Sequence, residues 1–102
     1  RSYSQVLYME ASAYLPYDGG GAGYTALGIP ARYGVVAVDP DIIPLGTRVY
    51  IPGYGEAIAA DTGGAINGYM IDLCMEDYTQ AIAFGRRGVE VYILDWYLYK
   101  LI

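Results

Sequence analysis

The chain has 102 residues, with 11 acidic and 6 basic side chains, no histidine and one cysteine. This length fits one domain with one core, and a hydrophobic content of 55% excludes a disordered chain. The lack of histidine excludes a Ser-His-Asp triad and histidine-based zinc or iron sites, and a net charge of −5 argues against nucleic acid as the main partner. Carboxylates must therefore supply any acid–base chemistry.

Turn residues divide the chain into short segments rich in β-branched and aromatic residues, which is typical of an all-β fold. Six strands are expected, in chain order at Val6–Leu15, Val35–Val38, Thr47–Ile51, Glu56–Asp61, Tyr69–Met75 and Val89–Leu94. The one helix, Asp77–Phe84, has Asp77 as its N-cap, Gln80 to complete a capping box and Gly85 to end it. We expect a closed six-stranded barrel with one short helix, because closure removes exposed strand edges.

Two segments outside these elements are unusual in composition. Asp18–Gly23 is rich in glycine and predicts a flexible loop, whereas Trp96–Ile102 is apolar for a terminus. We expect this tail to pack on the barrel, on a second copy in a homodimer, or on a neighbouring domain. No apolar stretch approaches the ~20 residues of a membrane span. No signal peptide or initiator Met is visible, so residues 1–102 are interpreted as a single domain from a longer secreted chain.

Three aspartates end or interrupt apolar strands. Asp39 and Asp61 directly follow such strands, and both also fit turn positions. Asp72 lies inside a strand, where no turn needs it. If Ile71 and Leu73 face the core, Asp72 points to the other face, toward a cleft. A partly apolar cleft raises the pKa of a carboxyl from its usual ~3.9, as a general acid requires.

Two other interpretations of the aspartates, and one of Cys74 beside Asp72, stay open at this point. Asp61-Thr62-Gly63 matches the aspartic protease signature, in which each chain of a two-fold dimer gives one Asp, but this leaves Asp72 unexplained. Three aspartates also suit Ca²⁺ or Mg²⁺, although the spacing has no loop-type motif, so neither a metal nor a cofactor is expected. Cys74 is expected to be a small buried side chain and not a reactive thiol.

Several spaced motifs extend this pattern across the chain. They are Val38-Asp39-Pro40, Ile43-Pro44-Leu45-Gly46-Thr47, Ala60-Asp61-Thr62-Gly63-Gly64-Ala65-Ile66, Ile71-Asp72 and Val89-Glu90-Val91-Tyr92-Ile93-Leu94. Together they resemble the 3D domain, which is named for its three aspartates, over roughly residues 10–95. The resemblance implies a double-psi β-barrel similar to the catalytic barrel of MltA-type lytic transglycosylases, and to stationary-phase survival proteins.

The resemblance also implies a function. It predicts a bacterial protein, extracellular or associated with the cell wall, that cleaves peptidoglycan glycan strands to 1,6-anhydromuropeptides. Asp72 takes the role of catalytic acid, with Asp61 and Asp39 beside it as like charges that tune its proton affinity. Residues predicted to bind substrate are Thr62, Gly63, Gly64, Asn67, Tyr14 and Tyr24. Many relatives carry Lys where Asn67 stands. The lack of a cation at this position weakens one contact to polar groups of the substrate. A non-catalytic domain that binds peptidoglycan or another carbohydrate is the alternative.

Overall fold

The computed structural model describes residues 3–18 and 23–95. Within them it has six strands and one helix: β1 (Gln5–Tyr14), β2 (Val35–Val38), β3 (Arg48–Ile51), β4 (Gly55–Asp61), β5 (Met70–Cys74), α1 (Tyr78–Phe84) and β6 (Arg87–Asp95). The bounds of β2 are those predicted from the sequence. The other strands differ from prediction by one or two residues at their ends, such as β6, which begins at Arg87 and not at Val89.

The strands close into a barrel in the order β1-β5-β2-β4-β3-β6. β1 pairs in parallel with β5, and β2 pairs in parallel with β4, while the other neighbours are antiparallel. Parallel neighbours cannot be joined by a hairpin, so the chain crosses over between them and the strands interleave. The predicted all-β, six-stranded double-psi barrel with one short helix is confirmed.

Alternate residues of each strand fill the interior of the barrel, as the two-residue period of a strand requires. In β1 the buried side chains are Leu7, Met9 and Ala11, and in β5 they include Ile71 and Leu73. The predicted faces of β5 are therefore correct. The side chains between these core residues point out of the barrel, and the candidate site forms on this outer face.

Helix α1 begins and ends at the residues that the sequence predicts. The N-cap Asp77 accepts a hydrogen bond from the backbone N–H of Gln80 at 2.8 Å, and Gly85 ends the helix with a φ of 64°, which favours glycine. The capping box differs from the prediction. The Gln80 side chain accepts from the backbone N–H of Glu76 at 2.7 Å instead of from that of Asp77.

Parts of two predictions lie outside the described residues. These are positions 19–22 of the glycine-rich loop and the apolar tail Trp96–Ile102, with the surface on which it packs. The homodimer therefore stays a prediction. Between residues 3 and 95, leaving aside 19–22, no helix combines the length and hydropathy needed to cross a membrane.

Candidate active site

A surface cavity of about 350 Å³ opens where β1, β2 and β4 end beside the outer face of β5. We call it the Asp72 cavity. Its walls, among the described residues, are formed by Tyr14, Pro16, Asp18, Gly23, Tyr24, Ala31, Ala37, Asp61, Thr62, Gly63, Ile66 and Asp72. Three carboxylates and no basic side chain occur in this set. The wall thus combines acid groups, aromatic rings and apolar surface, a composition that suits an uncharged polar ligand.

Asp72 lies in the middle of β5, and its half-buried carboxyl forms part of the cavity wall. Ser12 of the adjacent strand β1 donates a hydrogen bond from Oγ to Asp72 Oδ1 at 3.0 Å. The parallel register of the two strands, in which Ser12 is the partner of Asp72, brings these groups together across 60 residues of sequence. Among the described residues, the other carboxyl oxygen, Oδ2, accepts no hydrogen bond.

The surroundings of Asp72 raise its pKa above the ordinary value. Burial is the main cause and the negative charge of Asp18 adds to it, whereas the hydrogen bond from Ser12 and the positive charge of Arg86 act in the opposite direction. The predicted direction of the shift is therefore confirmed. Burial, the cause predicted from the partly apolar cleft, is the largest one, but the like charge that contributes is Asp18 and not Asp39 or Asp61.

Asp61 lies at the end of β4, in the wall of the same cavity. Its Oδ1 accepts hydrogen bonds from the backbone N–H groups of Thr62 at 2.9 Å and Ala26 at 3.1 Å. The second bond connects β4 to a segment 35 residues earlier in the chain, which includes Tyr24. Asp61 is thus close to the candidate acid and also fixes two parts of the cavity wall.

Asp39 directly follows β2, yet it is not among the residues that line the Asp72 cavity. Its Oδ2 accepts from the backbone N–H of Gly68 at 2.7 Å, and its Oδ1 accepts from that of Asp41 at 2.9 Å. These two bonds lower the pKa of Asp39 below its ordinary value. Gly68 has a φ of +67°, so the backbone that presents its N–H favours glycine. Asp39 therefore holds the loop between β4 and β5.

The structure divides the residues that were predicted to bind substrate. Tyr14, Tyr24, Thr62 and Gly63 line the Asp72 cavity, and the ring of Tyr24 is exposed. Gly64 and Asn67 do not line it. The Asn67 side chain instead donates to the backbone oxygen of Gly64 at 3.1 Å, so these two residues close the loop on itself.

Two residues of the site were missed by sequence reasoning. Ser12 has no local signal, because it stands in a strand among apolar neighbours and its partner is 60 residues away. Asp18 was assigned only to the start of the glycine-rich loop. Its Oδ2 accepts from the backbone N–H of Leu15 at 2.7 Å, which turns its carboxylate back toward the end of β1 and the cavity. The sequence gives only a partial signal for Asp18, because an Asp just after a strand is typical of a turn but does not indicate a position beside Asp72.

Tyr14 and Cys74 are register partners at the ends of β1 and β5, and Tyr14 also lines the cavity. The Tyr14 hydroxyl is buried and has no hydrogen-bond partner among the described residues. Burial is the main reason that the pKa of Tyr14 is raised far above its ordinary value. Burial also raises the pKa of the Cys74 thiol to about 11, so the thiol stays protonated at neutral pH. The interpretation of Cys74 as a buried, unreactive side chain agrees with this environment.

Carboxylates such as those of the cavity are also ligands of Ca²⁺ and Mg²⁺ in proteins. Across residues 3–18 and 23–95, no three side chains of histidine, cysteine, aspartate or glutamate come together in a metal-binding arrangement. Two carboxylates of the cavity, those of Asp18 and Asp61, are already acceptors of backbone N–H groups.

Comparison with known proteins gives matches in sequence and in fold. The family model of the 3D domain matches residues 34–95 of the chain. The cell wall-binding protein YocH of Bacillus subtilis is 47% identical over 96 residues, which cover 90% of this chain and 33% of that protein. The chain thus spans about a third of the length of this relative.

Two solved structures share the fold. MltA from Escherichia coli, described as having a unique lytic transglycosylase fold, matches with a TM-score of 0.58 and 24% identity, over 72% of this chain and 27% of that one. The lytic transglycosylase LtgG of Burkholderia pseudomallei matches with a TM-score of 0.52 and 26% identity, over 74% of this chain and 28% of that one. These likenesses concern the barrel, which is about a quarter of each larger chain.

Proposed function

The chain belongs to the 3D domain family, and we propose that it acts on bacterial peptidoglycan as a lytic transglycosylase, at the cell wall or outside the cell. Support for the substrate comes from a relative named for cell-wall binding and from two lytic transglycosylases with the same fold. The observation that carries the proposal is the Asp72 carboxyl. It is half-buried in the wall of an open cavity, and burial raises its pKa above the ordinary value of a carboxyl, the direction that a general acid requires.

This reaction suits a single carboxyl group used in two states. Protonated Asp72 gives its proton to the glycosidic oxygen between N-acetylmuramic acid and N-acetylglucosamine as the bond from C1 to that oxygen breaks. The Asp72 carboxylate then takes the proton of the C6 hydroxyl as the C6 oxygen bonds to C1, which gives the 1,6-anhydro product. Neither water nor a second carboxylate nucleophile is consumed, in contrast to hydrolytic glycosidases.

The other residues of the cavity have supporting roles in this proposal. Positive charge develops on the sugar ring in the transition state, and the carboxylates of Asp18 and Asp61 in the same wall stabilise it. The exposed ring of Tyr24 offers an apolar face for a sugar, and Thr62 and Gly63 border the same space. Asp39 contributes indirectly, because it holds the loop to which Thr62 and Gly63 belong.

The second candidate function is a binding domain that holds peptidoglycan without cleaving it. The name of the relative YocH favours it. Most of the cavity would serve either function, since aromatic rings and acceptor oxygens bind a glycan whether or not a bond breaks. The two candidates differ in one respect. Only the enzyme requires a proton on Asp72.

The test uses the purified chain with intact peptidoglycan, with released products identified by mass spectrometry. We expect wild type to release 1,6-anhydromuropeptides and Asp72→Asn to lower the rate by on the order of 10²–10⁴, because an amide N–H is too weakly acidic to transfer its proton to the glycosidic oxygen. Asp77→Asn is the matched control. It makes the same chemical change outside the site, and Asn caps a helix about as well as Asp.

The outcomes separate the two functions. Binding of wild type to sedimented peptidoglycan without any anhydro product contradicts the enzyme and supports the binding domain. Full release of anhydro product by a folded Asp72→Asn variant would exclude Asp72 as the acid. Loss of activity in Asp72→Asn with retained binding, while Asp77→Asn stays active, supports the proposal.

A further inference from the structure

The contact between Ser12 and Asp72 is built into the barrel. Both residues lie on the outer faces of β1 and β5, and they are partners in the parallel ladder, where Ala11 pairs with Ile71 and Ala13 with Leu73 on either side. Backbone hydrogen bonds of two strands therefore fix the distance between the two side chains. The Ser12 hydroxyl can leave the Asp72 carboxyl only if the Ser12 side chain changes its rotamer.

The contact also distinguishes the two oxygens of the carboxyl. Ser12 Oγ donates to Oδ1 at 3.0 Å, so a proton on Asp72 is directed to Oδ2. Asp72 is half-buried and no hydrogen bond to Oδ2 is present within the described residues, while the side chain forms part of the cavity wall. The oxygen that carries the transferable proton is thus the oxygen that a substrate in the cavity meets.

Other charged and titratable groups face Asp72 from neighbouring elements. Asp18, from the turn after β1, acts as a like charge, and Arg86, from the segment between α1 and β6, acts as an opposite charge. Arg86 Nη1 also forms a salt bridge with Glu10 Oε2 of β1 at 3.6 Å, and both of these side chains are exposed. Tyr14 and Cys74 lie close by and are held in their neutral forms by burial. Ser12 is the one group in this set that touches the Asp72 carboxyl directly.

We propose that Ser12 is a positioning residue, which orients the Asp72 carboxyl toward the cavity and limits the pH range over which Asp72 keeps its proton. This inference rests on the proposed function, in which Asp72 is the acid. When the proton leaves Oδ2 for the glycosidic oxygen, negative charge spreads to Oδ1, and the Ser12 hydroxyl stabilises it there. Burial and Ser12 act in opposite directions, so Asp72 is acidic enough to donate while burial still favours its protonated form.

The experiment measures Asp72 itself as well as activity. The pKa of its side-chain carboxyl is followed by ¹³C NMR in wild type, with the resonance assigned by its loss in Asp72→Asn. The same titration is made in Ser12→Ala, in Ser12→Cys, whose thiol is a weak donor of similar size, and in Ser12→Thr, which keeps the hydroxyl and suits a strand. The control is Ser4→Ala, which removes a serine hydroxyl that donates to the backbone oxygen of Ile93 at 3.4 Å, away from Asp72.

We expect the pKa of Asp72 to rise by about one unit in Ser12→Ala and by less in Ser12→Cys, since a hydrogen bond to a charged group is lost or weakened. Ser12→Thr and Ser4→Ala should match wild type. The high-pH limb of the pH–activity profile should shift to higher pH by the same amount, because the acid then keeps its proton at higher pH.

An unchanged pKa of Asp72 in Ser12→Ala overturns the proposal even if activity falls, since Ser12 would then be only structural. If Ser12→Ala does not fold, an unchanged pKa in folded Ser12→Cys overturns it in the same way. A raised pKa in the variants, with no anhydro product from any form including wild type, supports the role of Ser12 and contradicts the enzyme. The two failures are therefore distinguishable.

Discussion

Asp72 lies on β5 and Asp39 directly follows the neighbouring strand β2, both in similar apolar sequence, yet their carboxyls have opposite environments. β2 and β5 are antiparallel partners, with Ala37 opposite Asp72. The Asp72 carboxyl is half-buried beside a cavity and receives one hydrogen bond, from Ser12, and burial raises its pKa. The Asp39 carboxylate receives two backbone N–H groups, which lower its pKa.

The difference shows what decides the role of an aspartate at the edge of a barrel. An apolar strand beside the residue does not decide it, because both residues have one. Burial and the number of donors that reach the carboxylate decide it together, because burial destabilises the charged form and each donor stabilises it. A carboxylate held by two donors anchors the chain, whereas one with a single donor and a free oxygen is available for proton transfer.

The largest expected difference between the two carboxylates is in activity. Asp72→Asn should lower the release of anhydro product by on the order of 10²–10⁴, and the loss in Asp39→Asn should be at least ~10 times smaller, because Asn keeps an acceptor for the loop. Initial rates on the same peptidoglycan preparation measure both. Equal losses in two folded variants would place Asp39 in the catalytic group, as the family resemblance implies.

The next difference is in stability at neutral and acid pH. Asp39→Ala should lower the melting temperature at pH 7, because the N–H groups of Gly68 and Asp41 lose their acceptor. The folded-state pKa of Asp39 is lowered, so its stabilising effect is present above the unfolded value of ~3.9 and is lost as the pH falls through the folded value. Thermal unfolding at several pH values should therefore show a gap between wild type and Asp39→Ala that closes in acid. A gap that stays constant would contradict this account.

For Asp72 the sign is reversed. Its folded-state pKa is raised, so the protonated form favours the folded state below ~3.9, and this contribution is lost as the pH rises through the folded value. Asp72→Asn should therefore melt at a higher temperature than wild type at pH 7, with the difference shrinking toward pH 3. Thermal unfolding of Asp77→Asn at the same pH values gives the reference for the same substitution outside the site. A lower melting temperature for Asp72→Asn at pH 7 would show that its charge is not a cost to the fold.

The smallest expected effects concern binding by the cavity and by the loop. Tyr24→Ala should weaken binding to a soluble glycan fragment roughly fivefold, since an exposed ring contributes ~1 kcal/mol. Asn67→Ala should leave binding unchanged, because Asn67 contacts its own loop and does not line the cavity. Titration calorimetry with chitooligosaccharides measures both. A stronger effect at Asn67 than at Tyr24 would move the binding surface from the cavity to the loop.

Local signals predicted the parts of the molecule that depend on neighbours in sequence. The Val35–Val38 run and the helix between Asp77 and Gly85 follow from apolar runs, caps and turn residues, and the structure has them there. The outward direction of Asp72 followed from the two-residue period of its strand. The resemblance to a known family supplied the barrel topology, which no local pattern in the sequence determines.

Long-range contacts set the limit of prediction. Ser12 reaches Asp72 only through the parallel register of β1 and β5, and the carboxylate of Asp39 meets Gly68 only after a loop closes across 29 residues. The sequence shows three similar aspartates. Which of them is the candidate acid and which two accept backbone N–H groups depends on donors distant in the chain, namely Ser12, Ala26 and Gly68. Asp18 was missed for the same reason, since its effect on Asp72 depends on where the chain turns after β1.

The position of β1 between β5 and β6 has a consequence for folding. Because the first described strand pairs only with two strands near the other end of the chain, the barrel cannot close until β6 has been synthesised. Pairings this distant in sequence form slowly. Until they form, Asp72 remains in water with ordinary acidity and without Ser12. Incompletely folded chains therefore lack the half-buried carboxyl and its contact with Ser12, so the proposed activity requires the closed barrel.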